Sequence, residues 1–479
     1  MRGTLFVMCG LVVGSSVFAA CSSDDTVGPV GGGDASVRDS SVASDAGAEA
    51  DAPALDAGCT YDEKSDGTAR VLGIYALPAT SLKALNPYLT QHDLTKALDN
   101  GAGTVDNPAP GSGLDYVGGC PGSFWMITDR GPNADGPSGS KIFPLPPFTP
   151  AAVRVHLVEG AGTIAIDKVL PIVNDTNAPV TGLPNRSADD VGYERADASA
   201  PLPYRQGGLD TEDIKRLPNG DLAFVDEYSP SAGILDGTTG KVKVRYVPAG
   251  VSLPDAGYRI ASILPGVLTN RRVNKGLEGL AVSPDGHTAF LIMQTPMGPE
   301  GTYGSSLVNR VIRIDHFDDP ATATVGGHFI VLHQPLASFP GTSKQPNVFF
   351  NAGAWISATK LLLLERGTGL LKLVVADFSA ATNLVGNPSK GENDLTPEKD
   401  GVAALGIAAA ATIEVFTSAD VPSFITAPPA GAPAPDKLEG LAILNRTTVA
   451  IANDNDFGIV NANDRSRIWI LRLKAPLPM

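Results

Sequence analysis

Short apolar runs separated by turn residues dominate the chain after residue 59. The clearest repeats read GLDTEDI at 208–214, GLEGL at 276–280 and KLEGL at 437–441, and each is followed by a turn and a second apolar run. Two degenerate copies begin at Gly113 and Asn351. Runs of this kind bounded by Gly, Pro, Asn and Asp are typical of β-hairpins. The pattern therefore predicts strand–turn–strand units, with residues 81–98 as the best helix candidate.

Acidic residues flank these predicted hairpins. Glu212 lies seven residues before Asn219, and Asp226 lies seven residues after it; Glu439 and residues 453–454 flank Arg446 in the same way. Because symmetric positions face each other in an antiparallel hairpin, we expect an acid beside a polar or acidic residue in each unit. Opposed carboxylates destabilise a sheet, so the repeated arrangement requires a cation or a raised pKa.

Hairpins that recur at intervals of about 50 to 90 residues predict an all-β fold. We expect a β-propeller of six or seven blades, in which the inner strands bring the acids to one mouth of a central channel. The final strand, 467–473, is expected to close the ring by pairing with residues 71–75. A β-sandwich is the alternative, but it would not explain acids at equivalent positions.

The N-terminus indicates export. Residues 1–20 have the charged start, apolar core and small final residues of a signal peptide. Ala19 and Ala20 before Cys21 resemble a lipobox, which predicts lipidation of Cys21; the alternative is an ordinary signal peptide that leaves Cys21 free. Residues 21–58 are rich in Ser, Ala, Gly and Asp and predict a disordered, acidic linker. One domain is expected over 59–479.

Charge and cysteine content narrow the setting. The chain has a formal net charge of −15, and residues 59–479 alone carry −9. This charge argues against nucleic acid and against binding to anionic lipid headgroups. Cys59 and Cys120 predict one disulfide in an oxidising compartment, with two independent buried thiols as the alternative. We expect a monomer at the outer membrane or cell surface, in contact with the bilayer only through Cys21.

Several motifs in one order resemble the phytase-like esterase family. They are TDRGPN at 128–133, GLDTE at 208–212, DEY at 226–228, NKGLEGL at 274–280, and KLEGL at 437–441 followed by NDND at 453–456. The resemblance spans about 111–456 and implies a propeller fold with metal-assisted hydrolysis of phosphoesters or esters. The chain departs from the pattern at Asp213, where Gly is usual, and at Ala352, where an acid is expected.

The residues themselves predict a cluster of oxygen donors at the channel mouth. The expected metal ligands are Asp129, Glu212, Asp226, Glu227, Glu278, Glu439, Asp454 and Asp456. Glu365, Asn453 and Asn455 extend the candidate cluster. The expected catalytic residues are Glu212, Glu278, Glu439, Arg130 and Lys275, and the expected substrate-binding residues are Arg130, Asn133, Gln294, Arg366 and Lys437. Oxygen ligands without thiolate or imidazole favour one or more Ca²⁺ ions.

Two functions fit this pattern. The first is a cell-envelope, metal-dependent hydrolase of phosphate esters or related esters that acts on a small anionic substrate. The second is a non-enzymatic propeller that binds a surface glycan or protein, in which calcium is structural or the acids merely cap inner strands. No Gly-x-Ser-x-Gly elbow and no P-loop occur, so the sequence does not favour a serine hydrolase or a nucleotide enzyme.

Overall fold

The computed structural model describes residues 61–478, apart from 63, 93, 95–105, 300–301, 304–305 and 422–436. All of these residues belong to the unit Leu55–Met479. The predicted signal peptide, the lipidated Cys21, the linker and Cys59 lie outside the described residues. The Cys59–Cys120 disulfide therefore stays a prediction, although Cys120 itself is buried.

Nearly all regular structure in the described residues is β-strand. The strands are β1 (Arg70–Ala76), β2 (Gly113–Gly118), β3 (Ser123–Ile127), β4 (Ala134–Asp135), β5 (Lys141–Ile142), β6 (Ala151–Val158), β7 (Thr163–Pro171), β8 (Gly192–Tyr193), β9 (Thr211–Arg216), β10 (Leu222–Asp226), β11 (Ser231–Leu235), β12 (Val242–Pro248), β13 (Ile260–Leu264), β14 (Leu277–Val282), β15 (Thr288–Met293), β16 (Val308–Asp315), β17 (Thr324–Leu332), β18 (Phe349–Ser357), β19 (Lys360–Gly367), β20 (Leu370–Asp377), β21 (Ala411–Thr417), β22 (Lys437–Asn445), β23 (Thr448–Asp454) and β24 (Arg467–Arg472).

Helices are few and short in the same part of the chain. One α-helix, α1, covers Thr396–Asp400. The 3₁₀ turns are Leu82–Ala84, Pro87–Leu89, Pro137–Gly139, Gly266–Asn270, Leu336–Ser338, Gln345–Asn347, Pro388–Lys390, Ala403–Leu405, Ser418–Asp420 and Asp456–Gly458. The helix predicted over 81–98 is wrong where the structure describes it, because only two 3₁₀ turns form there. Pro87 begins the second of these turns and lacks the amide that would continue a helix. Among the described residues, no helix has the length and apolarity to cross a bilayer.

Twenty of the 24 strands form five antiparallel groups of four, which are the blades of a propeller, while β4, β5 and β8 form a separate three-stranded sheet. The groups are β2-β3-β6-β7, β9-β10-β11-β12, β14-β15-β16-β17, β18-β19-β20-β21 and β22-β23-β24-β1. The short strand β13 adds to β12 in parallel, and a single pairing between Ala76 and Thr163 links the first and last groups. The predicted all-β propeller is therefore confirmed.

The inner strands close into a ring. β2, β9, β14, β18 and β22 contact one another in turn, and β22 returns to β2. The described residues thus contain five blades, and the expected six or seven are not confirmed. The long intervals between hairpins are filled by outer strands and loops such as residues 378–410, so spacing alone overstated the number of blades.

The last blade joins the two ends of the described chain. β1 pairs antiparallel with β24, with Ile74 opposite Trp469 and Val71 opposite Leu471. The predicted closure by the final strand is confirmed. The first described strand is thus the outermost strand of the last blade, so ring closure does not depend on any additional sheet.

Apolar side chains fill the gaps between neighbouring blades. Each of five core clusters joins one adjacent pair: for example, Val225 packs with Leu277 and Met293 between the second and third blades, and Leu373 packs with Trp469 between the fourth and fifth. Full burial of one such aliphatic side chain contributes about 1.5–3 kcal/mol. Five interfaces in a closed cycle hold the inner strands in fixed register around the channel.

Candidate functional site

A cavity of ≈ 320 Å³ lies at the mouth of the channel where the inner strands begin, which we call the acid mouth. Its lining residues are Asp129, Arg130, Asn133, Ala134, Asp135, Lys141, Asp210, Glu212, Glu227, Asn274, Lys275, Glu278, Gln294, Phe349, Arg366, Lys437, Glu439, Asp454, Asp456, Ile459 and Val460. All five predicted catalytic residues, all five predicted substrate-binding residues and seven of the eight predicted metal ligands are among them. The structure therefore brings most of the predicted cluster together.

A β-bulge places each of the three repeated glutamates. In the second blade, Thr211 lies opposite Asp226 and Asp213 lies opposite Val225, so Glu212 is the extra residue between them. Glu278 and Glu439 are the extra residues at the same point of their hairpins. At the edge of the strand ladder, the bulge turns the side chain of the extra residue in a new direction. The predicted cross-strand pairing of Glu212 with Asp226 is therefore wrong by one residue.

The same strand register explains why Ala352 stands where the family resemblance led us to expect an acid. Asn351 is the extra residue of the fourth blade, between Phe350 opposite Glu365 and Ala352 opposite Leu364. Ala352 thus takes the position of Gly279, and Asn351 takes the position of the glutamates. A side chain at Gly279 would begin 2.9 Å from the Ala352 backbone, so neighbouring inner strands approach too closely for a larger residue there.

Asp226 does not line the cavity. Its carboxylate forms an ion pair with Arg245, and both side chains are fully buried. It also accepts hydrogen bonds from the Ser231 hydroxyl (2.6 Å) and the Asp210 amide (2.6 Å). Burial raises the pKa of Asp226 to about 6, although Arg245 opposes the shift. Asp226 thus anchors the end of the hairpin, and its role as a metal ligand stays a prediction.

Three carboxylates form the tightest acidic group at the acid mouth: Asp210, Glu212 and Glu227, which we call the acid triad. Their oxygen atoms lie within 4.8 Å of one another, and all three residues are buried. Asp210 was missed by the sequence reasoning, although it immediately precedes β9 in the GLDTE motif. Its carboxylate accepts from the Arg130 amide (3.1 Å), while Glu227 accepts from the Gly276 amide (3.1 Å).

Charge repulsion and burial act together on this group. Burial, followed by the charge of Glu278, raises the pKa of Glu212 well above its usual value. Burial also raises the pKa of Asp210 to about 7, against the influence of Arg130. Burial raises the pKa of Glu227 as well, but Lys275, Arg271 and Arg130 outweigh it and the net shift is downward. Carboxylates that repel one another this strongly favour a bound cation.

On the other side of the cavity, the acids form ion pairs with basic side chains. Lys437 Nζ lies 3.1 Å from Asp454 and 2.5 Å from Asp456, and Arg366 lies 2.9 Å from Glu439. Two of the predicted metal ligands, Asp454 and Asp456, are thus already paired with a lysine.

Arg130 and Lys275 stand between the two sides. The Arg130 guanidinium lies 2.9 Å from Asp190 and 3.0 Å from Asp210, and it also donates to Asn274. Lys275 Nζ donates to the Asn274 carbonyl (2.6 Å) and lies 5.2 Å from the centre of the Phe349 ring. Burial lowers the pKa of Lys275, which Glu227 and Glu278 oppose. Lys275 keeps donor capacity toward the cavity.

Other candidate donors serve different roles. Gln294 donates to Glu278, and Asn133 accepts from Arg130 at 3.5 Å. Glu365 is buried against His333 at a distance of 3.0 Å and does not line the cavity. The sequence reasoning also missed the lining residues Asp135, Lys141, Asn274 and Phe349. All four lie outside the repeated part of the hairpins, although Asn274 begins the NKGLEGL motif, so no periodic signal marks them.

The cavity as a whole has an excess of negative charge. Nine carboxylates face five basic side chains, which leaves four carboxylates in excess. Every candidate ligand is an oxygen donor, and the described lining contains no histidine or cysteine. This donor set fits a hard divalent cation better than a soft transition metal.

The fold and the site together define an all-β propeller with an oxygen-lined acidic cavity at one mouth of its channel. The sequence matches the phytase-like family, described as esterase-like activity of phytase, over residues 111–457. The chain belongs to this family. No curated protein matches it.

Solved structures of low identity were also found. Regucalcin from Agrobacterium tumefaciens, described as a calcium-binding protein, is 11% identical, with 78% of this chain and 94% of that chain covered and a TM-score of 0.31. A gluconolactonase from Xanthomonas campestris is 13% identical, with 77% and 97% covered and a TM-score of 0.25. The fold assignment depends on the strand topology of this chain, not on these similarities.

Proposed function

We propose that this protein is a metal-dependent hydrolase of phosphate esters or related esters, with its active site at the acid mouth. The observation that carries the proposal is the acid triad beside Lys275 and Arg366. Buried carboxylates would hold a cation, and the adjacent basic side chains would hold an anionic substrate. Membership of the phytase-like family supports a hydrolase.

Asp210, Glu212 and Glu227 would hold the metal, for which Ca²⁺ is the expected ion. When bound, the metal would polarise the phosphoryl or carbonyl oxygen and acidify a water molecule. The oxygen ligands and the excess of four carboxylates at this mouth fit such an ion.

The side chains of the protein would carry the remaining steps. Lys275 and Arg366 would bind the negative charge of the substrate against Phe349, whose ring lies 5.2 Å and 5.1 Å from their cationic groups. Burial, followed by Glu227 and Glu439, raises the pKa of Glu278 well above its usual value, which favours the protonated form that a general acid needs. As water forms its bond to the phosphorus or carbonyl carbon and the ester bond breaks, Glu278 would give its proton to the leaving oxygen, and the proton that the water releases would restore the Glu278 carboxyl group.

The cellular setting is part of the same proposal. We propose an exported monomer that is tethered by a lipid on Cys21 at the outer membrane or cell surface and meets small anionic esters there. The carbonyl groups of Tyr61 and Asp62, the first described residues, accept hydrogen bonds from Asn445 at the end of β22 (3.0 Å) and from Thr447 in the turn before β23 (3.1 Å). This turn belongs to the end of the propeller opposite the acid mouth. Diffusible substrates would therefore reach the cavity without obstruction from Tyr61 or Asp62.

Hydrolysis of a panel of chromogenic phosphate and carboxylate esters tests the proposal. We expect turnover with added Ca²⁺, loss of turnover with chelator, and a decrease in kcat of about 10²–10⁴-fold for Glu278→Gln. Glu414→Gln on the outer strand β21 is the matched control and should retain activity. A panel with no turnover, with Ca²⁺ or a transition metal supplied, would contradict the proposal and favour the binding-module alternative.

A further inference from the structure

Three exposed valines surround the acid mouth. Val460 lines the cavity and is 82% exposed, while Val273 and Val191 are 58% and 41% exposed. Val273 directly precedes the lining residue Asn274, and the Val191 carbonyl accepts from the amide of the lining residue Lys141 at 2.9 Å. We call these three valines the apolar rim. Single exposed apolar residues are common, but several around one polar cavity indicate a contact surface.

The turn that carries Val273 is held in place. Val273 and Asn274 are the central residues of this turn, and the Lys275 amide closes it by donating to the Arg272 carbonyl at 3.2 Å. The side chain of Asn274 also accepts from the guanidinium of Arg130. The exposure of Val273 is therefore set by an ordered turn, which presents this side chain at the edge of the cavity.

The segment that carries Val460 is anchored in the core. Phe457 and Ile459 are buried in one apolar cluster, where the ring of Phe457 packs edge-on against Phe148 with ring centres 5.2 Å apart. Ile459 also lines the cavity, and the next residue, Val460, is open to solvent. One wall of the cavity is therefore apolar from Ile459 to its outer edge at Val460.

Most of the positive charge in the cavity is already neutralised. Four of its five basic side chains lie within 3.1 Å of a carboxylate: Arg130, Lys141, Arg366 and Lys437. Lys275 donates to a backbone carbonyl and forms no ion pair with a described carboxylate. The formal excess of four carboxylates falls only to two negative charges when one divalent cation binds. Repulsion therefore opposes a ligand with several negative charges, whereas Lys275 can meet a single one.

The size of the cavity limits what it can enclose. Its volume of ≈ 320 Å³ lies near the lower end of the range of about 300–1,000 Å³ for small-molecule sites. A charged head group at Lys275, together with a metal and its water, would fill much of this space. A longer substituent must therefore leave the cavity past its edge, where the apolar rim lies.

We propose that the acid mouth accepts anions with a single negative charge and an apolar substituent. The charged group would lie against Lys275, and the substituent would pass over Ile459 and contact the apolar rim. Under the proposed function, on which this step rests, the substrate is an amphiphilic ester. Esters with several phosphate groups would be disfavoured by the excess of carboxylates.

Alkanesulfonates test the proposal by binding alone, because they carry one permanent negative charge and have no ester bond. Titration calorimetry on the full chain with Ca²⁺ present would compare methanesulfonate, butanesulfonate and octanesulfonate. Affinity should rise by about two- to fourfold for each added methylene until the rim is covered. The heat-capacity change on binding should become more negative along the series, since apolar surface is buried.

Variants of the rim identify the surface responsible. Val460→Ser and Val273→Ser should each weaken octanesulfonate binding by about three- to tenfold and leave methanesulfonate binding unchanged. Val385→Ser is the matched control and should change neither, because this valine is also exposed (38%) but lies in the loop between β20 and β21. Affinity that does not rise along the series, absence of binding by every sulfonate, or equal effects of the three variants would overturn the inference.

A second charge tests the preference for a monoanion. Butane-1,4-disulfonate has the chain of butanesulfonate but carries a charge at the end that would face the rim, so it should bind about tenfold more weakly. Tighter binding of the disulfonate would overturn the charge preference.

The outcomes separate this inference from the proposed hydrolase. Binding that depends on chain length without turnover of any ester would retain the apolar rim as a binding surface and remove the hydrolase. Ester turnover that is insensitive to chain length and to the rim variants would retain the hydrolase and remove the rim.

Discussion

At one end of the channel the inner strands begin, and at the other they run into tight turns. The turn end, which we call the turn mouth, holds a cavity of ≈ 580 Å³ that is larger than the acid mouth. Its lining includes Tyr116, Trp355, Pro218 and Pro284, with Asp115 as its one carboxylate. Size therefore does not distinguish the candidate site from the turn mouth; the concentration of buried, mutually repelling acids does.

The difference between the mouths arises from local backbone geometry. In four of the five blades the inner strand carries a bulge at its start, which turns one extra side chain toward the axis. Strand ends must instead form turns such as 218–220, where Gly220 has a φ of 89°. Turns favour Pro, Asn and Gly, so they leave few positions for acidic side chains that could bind a metal. The same five hairpins thus provide a site at one end and a scaffold at the other.

The largest expected effect separates the two mouths directly. Glu212→Gln should weaken the binding of Ca²⁺ and lower kcat/KM by more than about 100-fold, since loss of even an outer partner of a metal ligand costs about 10–100-fold. Asp115→Asn at the turn mouth should change neither. Calorimetry and initial rates measure both quantities. Equal effects of the two variants would remove the distinction between the mouths.

A second comparison concerns two acids of one hairpin. Asp226→Asn should destabilise the fold by about 3–5 kcal/mol, because it leaves the buried Arg245 without its charged partner. It should change Ca²⁺ affinity little when measured on folded protein. Denaturant unfolding gives the first quantity and calorimetry the second. A stable Asp226→Asn variant that binds no Ca²⁺ would restore Asp226 as a ligand.

The ion pair between the mouths gives a third test. Lys215→Met should lower the free energy of unfolding by about 3 kcal/mol or more, because Asp213 keeps a buried charge without its partner. The double variant Lys215→Met/Asp213→Gly should recover part of this loss, since β14 and β22 carry Gly279 and Gly440 at the position equivalent to Asp213. Denaturant unfolding measures both. No recovery in the double variant would show that Asp213 is needed for more than its charge.

A final test concerns the dependence of stability on pH. Burial raises the pKa of Asp210 and of Asp454 to about 7, from a usual value of 3.8. Between about pH 4 and 7 the folded protein therefore binds more protons than the unfolded chain, so its stability should fall as pH rises through this window in chelator. Ca²⁺ should flatten the fall by binding the ionised form. Melting curves across this range, with and without Ca²⁺, measure the effect; equal slopes would argue against a cation at the acid mouth.

Most of the acid mouth could be predicted because repetition marks it. The LEG motifs of Glu278 and Glu439, and the related Glu212, identify a position whose side chains converge once the blades close. Counting residues from the turn placed Asp226 opposite Glu212, because such a count ignores the bulge that shifts the pairing by one residue. Asn274 and Phe349 reach the cavity from loops or strand starts, and their positions depend on how blades pack.

The sequence by itself determined the β-hairpin repeat, its five copies, the closing strand and the residue types of the site, because these follow from local periodicity and turn chemistry. Only the tertiary structure decided the number of blades, the register at each bulge and which acids pair with a basic side chain. Arg245 and Lys437 neutralise Asp226 and Asp454, whereas Glu212 has no cationic side chain bonded to it among the described residues. Such pairing depends on contacts between residues distant along the chain, and no local pattern encodes it.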